Sequence, residues 1–173
     1  IFNNFDENNS FHDVVKEAGV QGFTEPDPKI DLSGVDVARK ILILIRESGY
    51  QFDIEDIANR SFLPAECLAT TNNEDFFKSL IKNAAHFENL LAEAKAKDCR
   101  LKYVATFENG KASVGLEFIP KESPFYNLEG KDNIVQFYTD RYIDQPLLIK
   151  GAGAGAAVTA SGIFADVIRI GNI

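Results

Sequence analysis

The chain has few of the residues that build metal centres and disulfide frameworks. Its 173 residues include two cysteines, two histidines and no methionine. Cys67 and Cys99 are too few and too far apart for a metal knuckle or a disulfide framework, so we expect free thiols in a cytoplasmic protein. His12 and His86 lie on separate helical patterns without a third ligand, and we expect no bound metal. A chain that begins at Ile1 without any Met is expected to be a fragment or a processed form.

Positive charge and long apolar runs are also scarce. There are 18 Lys and Arg against 26 Asp and Glu, which gives a formal net charge of −8. Nucleic acids and anionic membranes bind basic surfaces, so neither is expected as a partner. No apolar run approaches the about 20 residues of a membrane span, and the first residues lack the basic-then-apolar pattern of a secretory signal. The hydrophobic content of 45% is sufficient for one core.

Helical patterns dominate the first half of the chain. Ser10 is the expected N-cap of a first helix that Gly19 ends. Residues 54–64 are mixed, and we interpret them as a helical turn followed by an extended piece. A single long helix is predicted from Asn72 or Asn73 to about Lys97, because apolar residues recur at helical spacing with charges opposite.

After Cys99 the pattern changes to alternation. Residues 101–107 and 112–118 alternate around Asn109-Gly110, which is a strong hairpin signal. Residues 134–139 and 147–149 are predicted to be further strands. Helices first and hairpin strands later predict an α+β fold, with helices packed on one face of a mostly antiparallel sheet. The other face of such a sheet would suit a homodimer in which two sheets meet.

An acidic loop leads into a helix near the start of the chain. Ser33 is the expected N-cap of this helix, and Asp36 and Lys40 lie four residues apart on one of its faces. Residues 41–45 are apolar on every side, which predicts a buried helix and a half-buried Asp36–Lys40 pair. At this spacing such pairs are usually ordinary surface contacts. Three further acids precede the helix, and acids crowded around one ammonium favour a site that a polar or cationic ligand completes; they are Glu25, Asp27 and Asp31.

A glycine-rich segment, residues 151–160, precedes a predicted helix at 163–168. Glycines allow a backbone to approach a ligand closely, and a helix N-terminus offers N–H donors. The segment does not match a P-loop, and it lacks the acid that a dinucleotide-binding fingerprint places about 20 residues later. Tight packing between helix and strand explains such glycines equally well.

Several motifs together resemble the homoserine dehydrogenase family. The resemblance covers nearly the whole chain, and Leu63-Pro64-Ala65-Glu66 is closer to the branch fused to an aspartokinase. It implies NAD(P)-dependent interconversion of L-aspartate 4-semialdehyde and L-homoserine, in the aspartate pathway to threonine and methionine. The motifs are Thr24-Glu25-Pro26-Asp27-Pro28, Asp31-Leu32-Ser33-Gly34, Asp36-Val37-Ala38-Arg39-Lys40 and the segment from Gly151 through Gly155 to Ala160.

The resemblance also implies roles for individual residues. Lys40 corresponds to the lysine that transfers a proton, and the homoserine-binding acids correspond to Glu25 and Asp36. Asp31 corresponds to a further carboxylate on the substrate side. The family usually has Arg-Asp-Asp before Leu32, whereas this chain has Lys29-Ile30-Asp31, so one carboxylate is replaced by isoleucine. Two glycines correspond to places where the family's backbone approaches the nicotinamide nucleotide, and they are Gly22 and Gly155.

The family's nucleotide-binding half lies upstream of the part that matches this chain. Residues 1–150 are therefore expected to form a catalytic and dimerisation domain. Residues 151–173 are expected to be a Gly-rich loop and a C-terminal helix that would pack on the nucleotide-binding domain. Most contacts to NADP or NAD would lie outside the chain, so we expect the chain alone to be inactive. The alternative is a non-catalytic dimerisation or amino-acid-binding module, which would not need Lys40.

Overall fold

The computed structural model describes residues 1–130, 132–153 and 155–172. They form two compact units, Ile1–Ser123 and Pro124–Ile173. The first unit combines helices with a three-stranded sheet, and the second combines a two-stranded sheet with one helix. This arrangement confirms the α+β class predicted from the sequence.

The helices of the first unit begin at side-chain caps in several places. Ser10 caps the first helix, since its Oγ accepts the backbone N–H of Asp13 at 3.2 Å. The single long helix predicted after Asn72 is wrong, because two helices are separated at Asn83, whose φ of −99° and ψ of 20° are not helical. The Asn83 side-chain amide donates to the carbonyl of Ser79 at 2.9 Å, in addition to the backbone N–H of Asn83 at 3.0 Å. The helices are α1 (Phe11–Val20), α2 (Pro28–Leu32), α3 (Val35–Glu47), α4 (Ala65–Leu68), α5 (Asn73–Lys82) and α6 (Ala84–Ala96).

The sheet of this unit has the strand order β1-β3-β2. Its strands are β1 (Ile57–Arg60), β2 (Cys99–Glu108) and β3 (Lys111–Pro120). The predicted hairpin is confirmed: β2 and β3 are antiparallel, and Asn109 and Gly110 both have the positive φ that a tight hairpin turn requires. A turn of 3₁₀ helix at Ile54–Asp56 precedes β1, as the mixed pattern predicted, and β1 pairs with β3 in parallel.

Two apolar clusters hold the first unit together, and Tyr103 of β2 packs against both. The larger cluster is rich in phenylalanine, with the rings of Phe11 and Phe87 stacked at 4.3 Å between centroids. The second cluster lies between α3 and the sheet and includes Ile45 and Val114. Tyr103 therefore has little freedom to move.

The second unit is a hairpin followed by a helix. It contains β4 (Asp132–Thr139), antiparallel to β5 (Tyr142–Ala152), and α7 (Ala156–Gly171). The two predicted strands are confirmed, and the predicted helix begins earlier than 163. Among the described residues, no helix is both long and apolar enough to cross a membrane. Many large apolar side chains of this unit are exposed, namely those of Ile143, Leu147, Leu148, Ile149, Val158, Ile163, Phe164, Val167, Ile168 and Ile170.

Candidate functional site

Helix α3 places an ammonium beside a carboxylate. Lys40 Nζ lies 2.8 Å from Asp36 Oδ2, and the two side chains are 54% and 50% exposed. Asp36 is partly buried and Lys40 is exposed, so the expected half burial is found for the carboxylate and not for the ammonium. The prediction that α3 is buried on every side is wrong, since Ala38 and Ile45 are buried while Ile43 is 60% exposed. The helix rests on the sheet by one face, and Lys40 lies outside that buried face.

The loop before α3 is closed by a carboxylate. Asp31 Oδ2 accepts the backbone N–H of Glu25 at 2.8 Å, across six residues of chain. The structure therefore brings two predicted site residues together, and Asp31 belongs to α2, the helix immediately before α3. The Glu25 side chain is exposed. This hydrogen bond within the loop fixes the backbone direction at Glu25.

The middle of the loop is tied to α4 and α5. Asp27 caps α2 by accepting the N–H of Lys29 at 3.0 Å. Lys29 Nζ donates to the carbonyl of Thr70 at 2.5 Å and lies 3.8 Å from Asp27 Oδ2. Asn73 Nδ2 donates to the carbonyl of Pro26 at 2.6 Å. Asp27 thus has a cation and a backbone donor within the loop.

Helix α3 begins directly after Gly34, and the predicted Ser33 cap is wrong. Gly34 has a φ of +80° and is the N-cap, while the Ser33 hydroxyl donates to the carbonyl of Ile30 at 2.9 Å at the end of α2. A Cβ added to Gly34 would lie 2.0 Å from Tyr103 Oη. A glycine is required here because both the left-handed backbone and the nearby phenol exclude a side chain.

Two residues at this junction were not predicted from the sequence. Asn59 Nδ2, on β1, donates to the carbonyl of Ser33 at 2.7 Å. Tyr103 Oη, on β2, donates to Asn59 Oδ1 at 3.3 Å. Burial raises the pKa of the Tyr103 phenol, against a smaller opposing effect of Arg60, so the hydroxyl stays protonated and remains a donor. An Asn in a short strand and a Tyr in a long one carry no local signal of this contact.

The two glycines assigned to the cofactor lie in different units and are described separately. Gly22 has a φ of +73°, and no heavy atom of the described residues beyond its chain neighbours lies within 4 Å of the Cβ position, so this side of its backbone is open. Gly155 has a φ of +136° and precedes α7, which begins without a side-chain cap. A helix start of this kind leaves N–H groups available to a polar or anionic group. Both glycines have positive φ and an open Cβ position.

The arrangement has one clear chemical capability. A half-exposed ammonium can neutralise or protonate a developing oxyanion, and the neighbouring carboxylates can hold a cationic group. Within the described ranges, no set of three His, Cys, Asp or Glu side chains is arranged to hold a metal ion.

Comparison with known proteins agrees with these features. A family model described as "Homoserine dehydrogenase" matches residues 1–168. An Arabidopsis thaliana relative named bifunctional aspartokinase/homoserine dehydrogenase 2, chloroplastic, is 45% identical over 99% of this chain and 19% of its own length. A Schizosaccharomyces pombe relative named homoserine dehydrogenase is 40% identical over 93% of this chain and 44% of its own length. The chain thus spans about a fifth to less than half of the relatives that it matches.

Solved structures share the fold. A Candida auris protein described as of unknown function has a TM-score of 0.87 and 38% identity, over 96% of this chain and 47% of that one. A Staphylococcus aureus homoserine dehydrogenase has a TM-score of 0.70 and 24% identity, over 97% of this chain and 38% of that one. The second comparison supports the fold alone.

Proposed function

Since this chain belongs to the homoserine dehydrogenase family, we propose that it forms the catalytic part of an enzyme that interconverts L-aspartate 4-semialdehyde and L-homoserine. The observation that carries the proposal is the family match over residues 1–168, and the Asp36–Lys40 pair, at 2.8 Å on α3, supplies the ammonium that the chemistry needs. NADP or NAD is the proposed cofactor, and the reaction serves the aspartate pathway to threonine and methionine. The named bifunctional relatives support an aspartokinase in the same polypeptide.

The proposed roles follow from charge and position. When the aldehyde is reduced, negative charge develops on its oxygen, and the Lys40 ammonium neutralises that charge and donates a proton. Asp36 accepts from Lys40 and sets the direction of the ammonium. Glu25 and Asp31 hold the α-ammonium of the substrate, and the Asp31 carboxylate fixes the backbone at Glu25. A bound nicotinamide nucleotide supplies the hydride for reduction.

Gly22 and Gly155 are the proposed cofactor contacts within this chain. Both have positive φ and open space where a Cβ would stand. Their backbones can therefore approach a nicotinamide nucleotide without a side chain in the way. A larger side chain at either position would occupy that space.

We propose that residues 1–150 act in catalysis and dimerisation, and that residues 151–173 pack on a nucleotide-binding domain. The exposed apolar side chains support both contacts. Leu147 and Ile149 lie two residues apart in the regular part of β5 and share one exposed face, which suits a homodimer through the sheet. The two free thiols suit a reducing compartment, and the cytoplasm is the one we propose.

The test uses the protein in its full natural length, with NADPH oxidation followed in the presence of aspartate semialdehyde. Lys40→Ala is expected to lower kcat by a factor of about 10² to 10⁴, with little change in the KM for the semialdehyde. Lys97→Ala is the matched control. Lys97 forms an i,i+4 pair with Glu93 at 2.5 Å, and its exposure of 54% equals that of Lys40. Normal turnover in Lys40→Ala would remove Lys40 from the mechanism and favour the non-catalytic module.

The 173-residue chain alone is expected to show no turnover, because most cofactor contacts would lie outside it. The same assay applies, with the full-length protein as the positive control. A measurable steady-state rate from the chain alone would contradict this expectation.

A further inference from the structure

The link between α2 and α3 is held by a side chain from the sheet. Gly34 accepts the first hydrogen bond of α3, from the N–H of Ala38 at 2.9 Å. The carbonyl of Ser33 lies one residue earlier, outside the helical ladder, and Asn59 Nδ2 donates to it at 2.7 Å. Asn59 thus ties the start of α3 to β1.

The orientation of Asn59 is fixed in turn by Tyr103. The phenol donates to Asn59 Oδ1 at 3.3 Å, which leaves the amide N–H₂ turned toward Ser33. The same hydroxyl occupies the space above Gly34 where a Cβ would stand. Because the Tyr103 ring packs against both apolar clusters, the hydroxyl is a fixed point of the first unit.

We propose that Asn59 and Tyr103 are positioning residues for the Asp36–Lys40 pair, and this inference rests on the proposed function. Lys40 lies six residues after Gly34, about 9 Å along the helix axis. A tilt of about 6° at Gly34 would move Lys40 by about 1 Å relative to the Glu25–Asp31 pair. A misplacement of that size can lower a rate by about 100-fold. Asn59 and Tyr103 therefore affect the geometry of proton transfer through the orientation of α3.

The test compares Asn59→Ala with Asn83→Ala in the full-length protein. Asn83 also donates its side-chain amide to a backbone carbonyl, that of Ser79 at 2.9 Å, but at the break between α5 and α6. Asn59→Ala loses its bonds with Ser33 and Tyr103, and Asn83→Ala loses its bond with Ser79, so the urea midpoint is expected to fall in both variants and further in Asn59→Ala. Only Asn59→Ala is expected to lower kcat, by about 10-fold or more, with the KM for NADPH within about twofold.

Tyr103→Phe provides a second, milder variant, since it removes a single oxygen. Its expected loss in kcat is smaller than that of Asn59→Ala. Because the phenol acts through Asn59, the double variant is expected to be no slower than Asn59→Ala alone. This lack of additivity would not arise from two independent losses of stability.

The outcomes separate the two proposals. If the unmodified full-length protein does not oxidise NADPH with the semialdehyde, the proposed function fails and this inference fails with it. If that protein is active but Asn59→Ala matches Asn83→Ala in kcat, only the positioning role is overturned. Should Asn59→Ala not fold, a kcat of Tyr103→Phe equal to that of the unmodified protein would overturn it as well.

Discussion

Replacing Gly34 by alanine should destabilise the first unit more than the same change at a glycine whose Cβ position is open. The left-handed backbone at φ +80° costs an alanine about 1–2 kcal/mol. The new methyl group would also stand 2.0 Å from Tyr103 Oη, 2.8 Å from its Cζ and 3.0 Å from its Cε1. Overpacking of this kind costs about 1–3 kcal/mol. The expected loss in the free energy of unfolding is therefore about 2–5 kcal/mol.

Gly49→Ala is the matched control for this substitution. Gly49 follows α3, has a φ of +90° and has no atom within 4 Å of its Cβ position. Its replacement carries the backbone cost alone, about 1–2 kcal/mol. Urea unfolding of the 173-residue chain, followed by far-UV circular dichroism, measures both variants. The difference between them isolates the collision with Tyr103.

A double variant locates the collision. Tyr103→Phe removes the hydroxyl, but Cζ remains 2.8 Å from the Cβ position, so the Gly34→Ala defect should be relieved only in part. The reasoning is refuted if Gly34→Ala costs no more than Gly49→Ala. It is refuted equally if adding Tyr103→Phe makes the Gly34→Ala defect larger.

Three further predictions concern the helix caps, the sheet and the acid limit of stability. Ser10→Ala should lower the free energy of unfolding by about 1 kcal/mol in urea unfolding, because α1 loses its N-cap. In the full-length protein, Ile149→Glu should shift light scattering toward a monomer, whereas Leu148→Glu, on the other face of β5, should not. The Lys82 ammonium holds the pKa of Glu66 below its ordinary value, so this contact stabilises the fold above the unfolded pKa and is lost as the pH falls through the folded one. Glu66→Gln should therefore have a lower urea midpoint than the unmodified chain at about pH 7, and the difference should vanish once the pH lies below the lowered pKa of Glu66.

The features that the sequence predicted well are those whose causes lie within a few neighbouring residues. Ser10 caps α1 through an N–H three residues away, and Asn109-Gly110 closes the hairpin with two adjacent positive φ angles. The break at Asn83 was missed because the apolar spacing continues across it. A side-chain amide that bonds its own backbone can end a helix without changing the hydrophobic pattern.

The start of α3 was mispredicted for a different reason. Ser33 followed by a helical pattern is an ordinary N-cap signal. The phenol of Tyr103, however, occupies the Cβ position of residue 34, so only a glycine fits there and Gly34 becomes the N-cap. The contact from Asn59 to Ser33 spans 26 residues, and that from Tyr103 to Asn59 spans 44. Such contacts depend on the pairing of β1 and β2 with β3, and no local pattern encodes them.

The same distinction explains why the Asp36–Lys40 pair alone does not identify a site. Lys97 and Glu93 form an i,i+4 pair with the same two exposures, 54% and 50%. Sequence spacing and exposure are thus equal in a pair with a proposed role and in an ordinary one. What differs is the surroundings, because Asp36–Lys40 follows a loop that Asp31 closes and starts from a backbone that the sheet holds. The proposed chemistry therefore depends on the anchoring of α3 as much as on the lysine itself.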